Sequence, residues 1–186
     1  DYAPAQAQLG YMYARGDGLP QRYDMALEWS QRAADAGDPD GCNNLAVLYL
    51  KGFGVEQDFE EAVRWYRKAA EGQHAAAQNM LGTLFLTGQG GVEKSPQEAE
   101  HWWRMAAEQG YAPAQYNLGG MHARGLSRSV SREEAITWLG RAAEQGHAAA
   151  ARELAALEGG SRATEAAADH EEAAADETAD DAFDRI

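Results

Sequence analysis

The residues best suited to metal chemistry are the histidines, of which the chain has five. His74 and His147 occupy the same place in a repeating pattern, two units apart. Because neighbouring helices pack about 8–10 Å apart, these two side chains are expected roughly 20 Å or more from each other. One metal ion cannot join ligands at that distance, and His101 and His122 are expected on helices of different kinds. The pattern therefore predicts no metal site.

Nucleophilic and phosphate-binding chemistry are also poorly supported. Cys42 is the single cysteine, and no histidine is paired with it in the sequence to activate a thiolate. The glycine-rich loop at 88–91 lacks the Gly-Lys-Ser/Thr ending of a phosphate loop, and no strand precedes it. A packed thiol and a turn between two helices explain both features. We expect no catalytic residues and no cofactor.

Charge divides the chain into two parts. Residues 1–157 hold 20 acidic and 14 basic side chains, whereas residues 158–186 hold 10 acidic and 2 basic ones. Both parts would repel a phosphate backbone, so no nucleic-acid partner is expected. The alanine-rich acidic segment 158–186 has too few large apolar residues to offset the entropy of ordering, so we expect a disordered tail after a folded domain at 1–157. No apolar run approaches the length of a membrane span.

An internal repeat of about 36 residues is the strongest signal in the sequence. One leucine and one tryptophan per unit recur at spacings of 36 or 37 residues: Leu9, Leu45, Leu81 and Leu118, then Trp29, Trp65, Trp102 and Trp138. The first half of each unit has helical spacing and ends at a glycine, the usual helix C-cap. The second half opens with a capping residue such as Ser95 or Ser131, each three residues before a glutamate.

These signals predict an all-α protein, a right-handed α-α superhelix (solenoid) of four helix pairs closed by a C-terminal capping helix. The predicted helices cover residues 3–15, 22–36, 38–51, 58–71, 74–87, 96–109, 112–124, 131–145 and 147–157. The recurring tryptophans are expected in the core. Because successive helix positions face different directions, we expect either Trp102 or Trp103 to be partly exposed.

The repeat resembles the Sel-one-like repeat, a relative of the tetratricopeptide repeat, over about residues 2–157. The second unit carries most of the motif: Gly52, Gly54, Val55, Ala62, Trp65, Tyr66, Ala69 and Ala70. Ala46 stands where the motif has glycine, and the fourth unit departs most, with His122 for tyrosine. The resemblance implies a curved superhelix whose first helices line the concave face, in a family that generally assembles protein complexes.

The resemblance also suggests where a partner would bind. By analogy with tetratricopeptide grooves, outward residues of the first helices should contact a protein or peptide. The expected groove residues are Tyr11, Arg15, Asn43, Val47, Leu50, Lys51, Asn79, Thr83, Leu86, Tyr116 and Arg124. The chain is therefore expected to be a scaffold or adaptor rather than an enzyme.

Two alternatives come from related repeats. Cysteine-rich relatives have been linked to penicillin binding or hydrolysis, but they carry a disulfide in each repeat, which a chain with one cysteine cannot form. Modular RNA-binding repeats have a similar period, but the acidic charge disfavours that function. Residues 1–10 closely match 110–119, an internal first helix, so we expect the solenoid to continue upstream and the uncapped N-terminal end to self-associate.

Overall fold

The computed structural model describes residues 2–127 and 129–159. Within these residues the chain forms nine α-helices and no strand. The helices are α1 (Ala3–Arg15), α2 (Tyr23–Asp35), α3 (Pro39–Lys51), α4 (Phe59–Glu71), α5 (Ala75–Thr87), α6 (Pro96–Glu108), α7 (Ala112–Ala123), α8 (Arg132–Glu144) and α9 (148–159). The predicted all-α solenoid of helix pairs is confirmed, and the predicted helix ends are right to within a residue or two. The expected disordered tail falls almost wholly at 160–186, outside the described residues.

Consecutive helices pack against each other along the whole series, as in a solenoid. We refer to α1, α3, α5 and α7 as the first helices and to α2, α4, α6 and α8 as the second helices. No helix in the described part of the chain is long and apolar enough to cross a bilayer.

The helix ends follow the signals expected from the sequence. Three first helices end at a glycine in the left-handed conformation: Gly16, Gly52 and Gly88. Three second helices begin at a side chain that accepts a hydrogen bond from the backbone N–H three residues later: Asp58, Ser95 and Ser131. The first pair has Arg22 at this place and no side-chain cap, because arginine lacks the short side-chain acceptor that an N-cap needs.

In each pair, a small residue of the first helix packs against one particular residue of the second helix, and this contact sets how closely the two helices approach. A Cβ atom added to Gly82 would lie 2.5 Å from the Trp103 ring, and one on Gly119 would lie 2.7 Å from Leu139 Cγ. Such distances are shorter than any ordinary carbon contact, so a larger residue would force the helices apart. The four pairs of positions are Gly10 and Ser30, Ala46 and Tyr66, Gly82 and Trp103, and Gly119 and Leu139.

This arrangement corrects the expectation that the recurring tryptophans form the core. Trp65 and Trp138 are buried, but Trp29 and Trp102 are only half-buried. Trp103, the residue outside the register, is 2 % exposed, and its Nε1 donates a hydrogen bond of 3.0 Å to the carbonyl of Asn79. The residue after each recurring tryptophan therefore faces the interior, and the recurring tryptophans themselves lie at the edge of the core.

Glutamine side chains join successive pairs. Gln78 Nε2 donates to the Ala70 carbonyl at 3.0 Å, and Gln109 Nε2 donates to Gln78 Oε1 at 2.7 Å. Gln115 and Gln145 repeat this arrangement one pair further along. Each buried amide thus has a partner for both its N–H and its carbonyl group, which avoids the cost of an unpaired buried polar group.

The joint between the first two pairs is built differently. Cys42 takes the place of the buried glutamine, and Gly72 takes the place of the glutamine that would donate to it. Gly72 packs against Pro39, since a Cβ there would lie 2.6 Å from the proline Cγ. The next residue, Gln73, occupies the left-handed position after α4, with φ of 63°, where the other three pairs have glycine.

Candidate functional site

The recurring histidines cap helices. His74 Nδ1 accepts a hydrogen bond of 3.1 Å from the Ala77 N–H, and His147 Nδ1 accepts one of 3.2 Å from the Ala150 N–H. This requires an unprotonated Nδ1, so the His74 Nε2–H is free to donate to Asp40 Oδ1, 3.2 Å away. Within residues 2–127 and 129–159, no group of three His, Cys, Asp or Glu side chains is placed to hold a metal.

Cys42 is packed in the interior. Its side chain is 4 % exposed, and burial raises the pKa of its thiol above the ordinary value. A neutral thiol away from solvent is a poor nucleophile, because the thiolate is the reactive species. The structure gives this residue a packing role.

The predicted groove residues divide into groups. All eleven keep at least part of their surface accessible to solvent. Tyr11, Arg15, Asn43 and Val47 line one cavity of about 490 Å³ between α1 and α3. This volume lies within the range of small-ligand sites.

The same cavity has lining residues that the sequence interpretation missed. Tyr23 and Phe53 stack on one another with ring centroids 4.7 Å apart, and both line the cavity. Phe53 lies in the Gly-x-Gly loop after α3. Gly54 allows this contact, because its φ is 74° and a Cβ there would lie 2.8 Å from Tyr23 Cβ. An aromatic residue between two loop glycines was the available signal.

Ser30 of α2 also lines the cavity. Its side chain is fully buried, and its hydroxyl has no hydrogen-bond partner among the described residues. The corresponding positions hold Tyr66, Trp103 and Leu139, all of which are buried. Comparing the residue after each recurring tryptophan would have revealed this replacement of a large side chain by a small one.

A second group of predicted residues lies together on α5 and α7. Thr83 Oγ1 donates to the Asn79 carbonyl at 3.1 Å, and Asn117 Nδ2 donates to Asn79 Oδ1 at 2.9 Å. The Arg124 guanidinium carbon lies 5.9 Å from the centre of the Tyr116 ring. Polar groups of neighbouring first helices thus meet along this face.

The remaining predicted residues are placed less favourably. Leu50 and Leu86 are half-buried and pack against the hydrophobic core, so little of either side chain faces solvent. Lys51 is exposed, one turn after Val47, but does not line the cavity.

Acidic side chains are segregated to one kind of helix. The four first helices contain a single acidic residue, Asp40, whereas every second helix contains three. Arg15, Lys51 and Arg124 lie at the C-terminal ends of three first helices, where a cation also interacts favourably with the helix dipole. The face built from the first helices is therefore poor in negative charge within a chain whose formal net charge is −14.

Comparisons of the sequence and of the structure with known proteins point to the same family. A sequence model of the Sel1 repeat matches residues 3–38, 39–74, 75–111 and 112–147. The crystal structure of c5321, a protective antigen of uropathogenic Escherichia coli with an SLR fold, is similar with 35 % identity and a TM-score of 0.74. It is matched over 84 % of the present chain and 33 % of its own.

Two further solved structures are similar. A Sel1 repeat protein from Oxalobacter formigenes has 34 % identity and a TM-score of 0.74, over 82 % of the present chain and 62 % of its own. The chain thus spans less than two thirds of the length of both of these relatives. Helicobacter pylori cysteine rich protein B, at 21 % identity and a TM-score of 0.50 over 68 % of the present chain and 89 % of its own, shows likeness of fold alone. No curated protein matches the chain.

Proposed function

The chain belongs to the Sel1 repeat family, whose members are generally protein-interaction scaffolds rather than enzymes, and from that premise we propose that it binds a partner protein through the face formed by α1, α3, α5 and α7. We call this face the inner face. The proposed role is that of an adaptor that holds a segment of its partner along the first helices.

One observation carries the proposal. Five large hydrophobic side chains are strongly exposed in the described residues, and three of them, Tyr11, Val47 and Phe53, line the cavity between α1 and α3. Scattered exposed hydrophobic residues are normal, but a group around one concavity is typical of an interaction site. Asn79, Thr83 and Tyr116 extend the surface with polar groups that could fix the orientation of a bound chain.

The experiment that tests this proposal compares two exposed hydrophobic residues on different faces. Val47 lies on the inner face and Phe59 at the start of α4, and they are exposed to a similar degree, 38 % and 44 %. The full chain and its Val47→Arg and Phe59→Arg variants would be used as bait, and captured proteins identified by mass spectrometry. A captured protein would then be purified and its Kd measured for each bait.

We expect Val47→Arg to weaken binding by at least about tenfold, a loss of roughly 1.4 kcal/mol, and Phe59→Arg to leave it unchanged. Circular dichroism melts of the two variants should agree, because both positions are exposed. A partner that is lost with Phe59→Arg and retained with Val47→Arg would place the binding surface on the second helices and refute the proposal.

A further inference from the structure

The cavity between α1 and α3 lies at a position where the first pair departs from the repeat. In the other three pairs, the position after the recurring tryptophan holds Tyr66, Trp103 or Leu139, and each fills the space beside the first helix. In the first pair the small Ser30 side chain takes this position: its hydroxyl lies directly over Gly10, where a Cβ would clash with Ser30 Oγ, and the residue also borders the cavity. A large apolar side chain at this position would bury more surface and add stability, so the serine requires an explanation beyond packing.

Two polar side chains that border the cavity, Ser30 and Asn43, have no hydrogen-bond partner among the described residues. The Ser30 hydroxyl is fully buried and unpaired among the described residues, a condition that destabilises a folded protein. Asn43, half-buried in the wall, makes no side-chain hydrogen bond within the described part of the chain, whereas its neighbour Asn44 donates to the Ala7 carbonyl at 2.9 Å. A ligand that carries a hydroxyl could pair with these groups.

The rim of the cavity is aromatic and apolar. Tyr11 and Phe53 are 42 % and 40 % exposed, and Val47 of α3, 38 % exposed, lines the same cavity. Aromatic side chains contribute large contact areas and prefer stacked or edge-to-face neighbours, so such a rim favours an aromatic group. An aromatic ring with a polar tip, the form of a tyrosine side chain, matches both the rim and the interior.

The charge of the inner face determines which residues would be favoured beside such a tyrosine in the partner's segment. Arg15 lies at the rim, and its pairing with Asp17 at 3.3 Å is exposed, so it can be exchanged for another carboxylate at little cost. Apart from Asp40, the first helices carry no acidic residue.

From these observations we infer that the cavity bounded by Ser30, Asn43 and Val47 receives a tyrosine side chain from an extended acidic segment of the partner. The inference rests on the proposed function and specifies its ligand. The tyrosine hydroxyl pairs with Ser30, its ring packs against Tyr11 and Val47, and flanking carboxylates approach Arg15.

Selection from a random peptide library displayed on phage, with the full chain as bait, tests the inference and does not require the partner to be identified. Enriched peptides would be synthesised with a fluorescent label, and their affinities measured by fluorescence polarisation. We expect a shared tyrosine with glutamate or aspartate beside it. Enriched peptides without an aromatic residue, or with lysine and arginine around it, would overturn the inference.

Ser30→Leu is the decisive variant. It would place a leucine over a glycine of the first helix, a contact that the fourth pair of this chain already makes. Leu139 packs over Gly119 in the fourth pair, so a leucine at position 30 can pack over Gly10 in the same way. We expect a melting temperature equal to or above that of the original chain, and a loss of peptide affinity of at least about tenfold. Unchanged affinity in this folded variant would show that the cavity is not occupied.

Ser30→Ala tests the hydroxyl by itself. The original chain should prefer a selected peptide to its phenylalanine analogue by about fivefold, and Ser30→Ala should abolish this preference, as expected for one hydrogen bond of about 1 kcal/mol. Equal preference in both proteins would refute the pairing with Ser30.

Failure of this inference can be told apart from failure of the proposed function. Peptides or partners that respond to Val47→Arg but not to Ser30→Leu would leave inner-face binding intact and refute the tyrosine cavity. Absence of any selected peptide, together with no partner sensitive to Val47→Arg, would refute both. Binding of free phenols as tightly as the peptides would identify a small-molecule site and also contradict the inference.

Discussion

At the scale of single residues, pairs of small and large side chains determine how closely the two helices of each pair approach. Trp103 is the largest side chain in this series, and it lies directly over Gly82, with its indole N–H donating to Asn79. Trp102 is half-buried, and its indole N–H has no partner among the described residues. Two adjacent tryptophans therefore make different contributions to stability.

We predict that Trp103→Ala lowers the free energy of unfolding by about 3–5 kcal/mol, the usual range for removing a buried aromatic side chain. Trp102→Ala should cost only about 1–2 kcal/mol, because less apolar surface is buried. Urea denaturation followed by circular dichroism would measure both. Equal losses, or a larger loss for Trp102→Ala, would contradict the assignment of Trp103 to the interior.

The left-handed conformation of Gln73 gives a second prediction. Non-glycine residues in this conformation are strained by about 1–2 kcal/mol, but glycine also gains entropy in the unfolded chain. We therefore expect Gln73→Gly to stabilise the protein by about 0.5–1 kcal/mol, measured from thermal or urea melts. The matched control is Gly110→Gln, at the equivalent place with φ of 85°, which should destabilise.

These residues show what one sequence can and cannot predict about packing. The repeat places Trp102 in register with the other tryptophans, but register does not reveal which side of the helix faces a glycine. The sequence indicates that Trp102 and Trp103 cannot share one environment, and it does not choose between them. The choice depends on the tertiary contact with Gly82, which lies 21 positions earlier in the chain.

At the scale of helices, an ion-pair network joins α6, α8 and the loop between α7 and α8. Arg104 donates to Glu134 and, at 3.1 Å, to Glu100 Oε1. Ser127 and Ser129 in the loop donate to the other oxygen of Glu100 at 2.7 and 2.5 Å. Arg104 thus joins α6 to α8, and Glu100 joins α6 to the loop.

The two carboxylates contribute stability that depends on pH. The hydrogen bond from Arg104 lowers the pKa of Glu134; for Glu100, burial acts to raise the pKa, but the hydrogen bonds from Ser129, Ser127 and Arg104 together lower it. A pKa that is lower in the folded state means stability that is fully present above the ordinary value of 4.5. That stability is lost as the pH falls through and below that value.

We predict that Arg104→Met destabilises the protein by about 1–3 kcal/mol at pH 7, because both carboxylates lose a charged hydrogen-bond partner. The difference from the original chain should shrink as the pH is lowered from 6 to 3, where the carboxylates become protonated. Melts across this pH range provide the measurement. A difference that does not change with pH would mean that Arg104 acts through packing alone. Arg22→Met, which removes an exposed pair with Asp24, serves as the control and should show little effect.

Helix positions were predictable from sequence, because capping and glycine signals act locally. Asp58, Ser95 and Ser131 begin helices through contacts with a backbone N–H three residues away, and no distant residue is needed. The capping role of His74 and His147 was not predicted, since histidine is an unusual N-cap. Their shared position in the repeat is the signal that could have indicated it, because a cap recurs with the helix that it begins.

At the scale of the whole molecule, the repeat predicts the course of the chain better than it predicts a binding site. Tyr11, Arg15, Asn43 and Val47 were placed on one face by helical register together with the analogy to tetratricopeptide grooves, and the structure brings these four together. The cavity itself arises where the repeat is broken, at Ser30 and Phe53. The sequence interpretation compared the repeat units for the residues that they share. Residues that occur in one unit alone do not emerge from such a comparison, so Ser30 and Phe53 were missed.

The number of buried positions in the first helices differs along the solenoid, and this gives the last prediction. The segment Tyr-Ala-Pro-Ala-Gln opens both α1 and α7, and neither helix has a side-chain N-cap. Their local helix signals are therefore matched. Yet α1 buries only two residues, Ala7 and Gly10, whereas α7 buries six. Since each repeat is stabilised chiefly by its neighbours, α1 should open far more readily than α7.

Native-state hydrogen exchange measures this directly. Amides in 3–15 should exchange at least about tenfold faster than those in 112–123, which corresponds to a difference of roughly 1.4 kcal/mol in opening free energy. Equal protection of both helices in dilute monomeric protein would contradict the prediction. Because α1 and α7 open with the same sequence, a difference in protection can be attributed to packing.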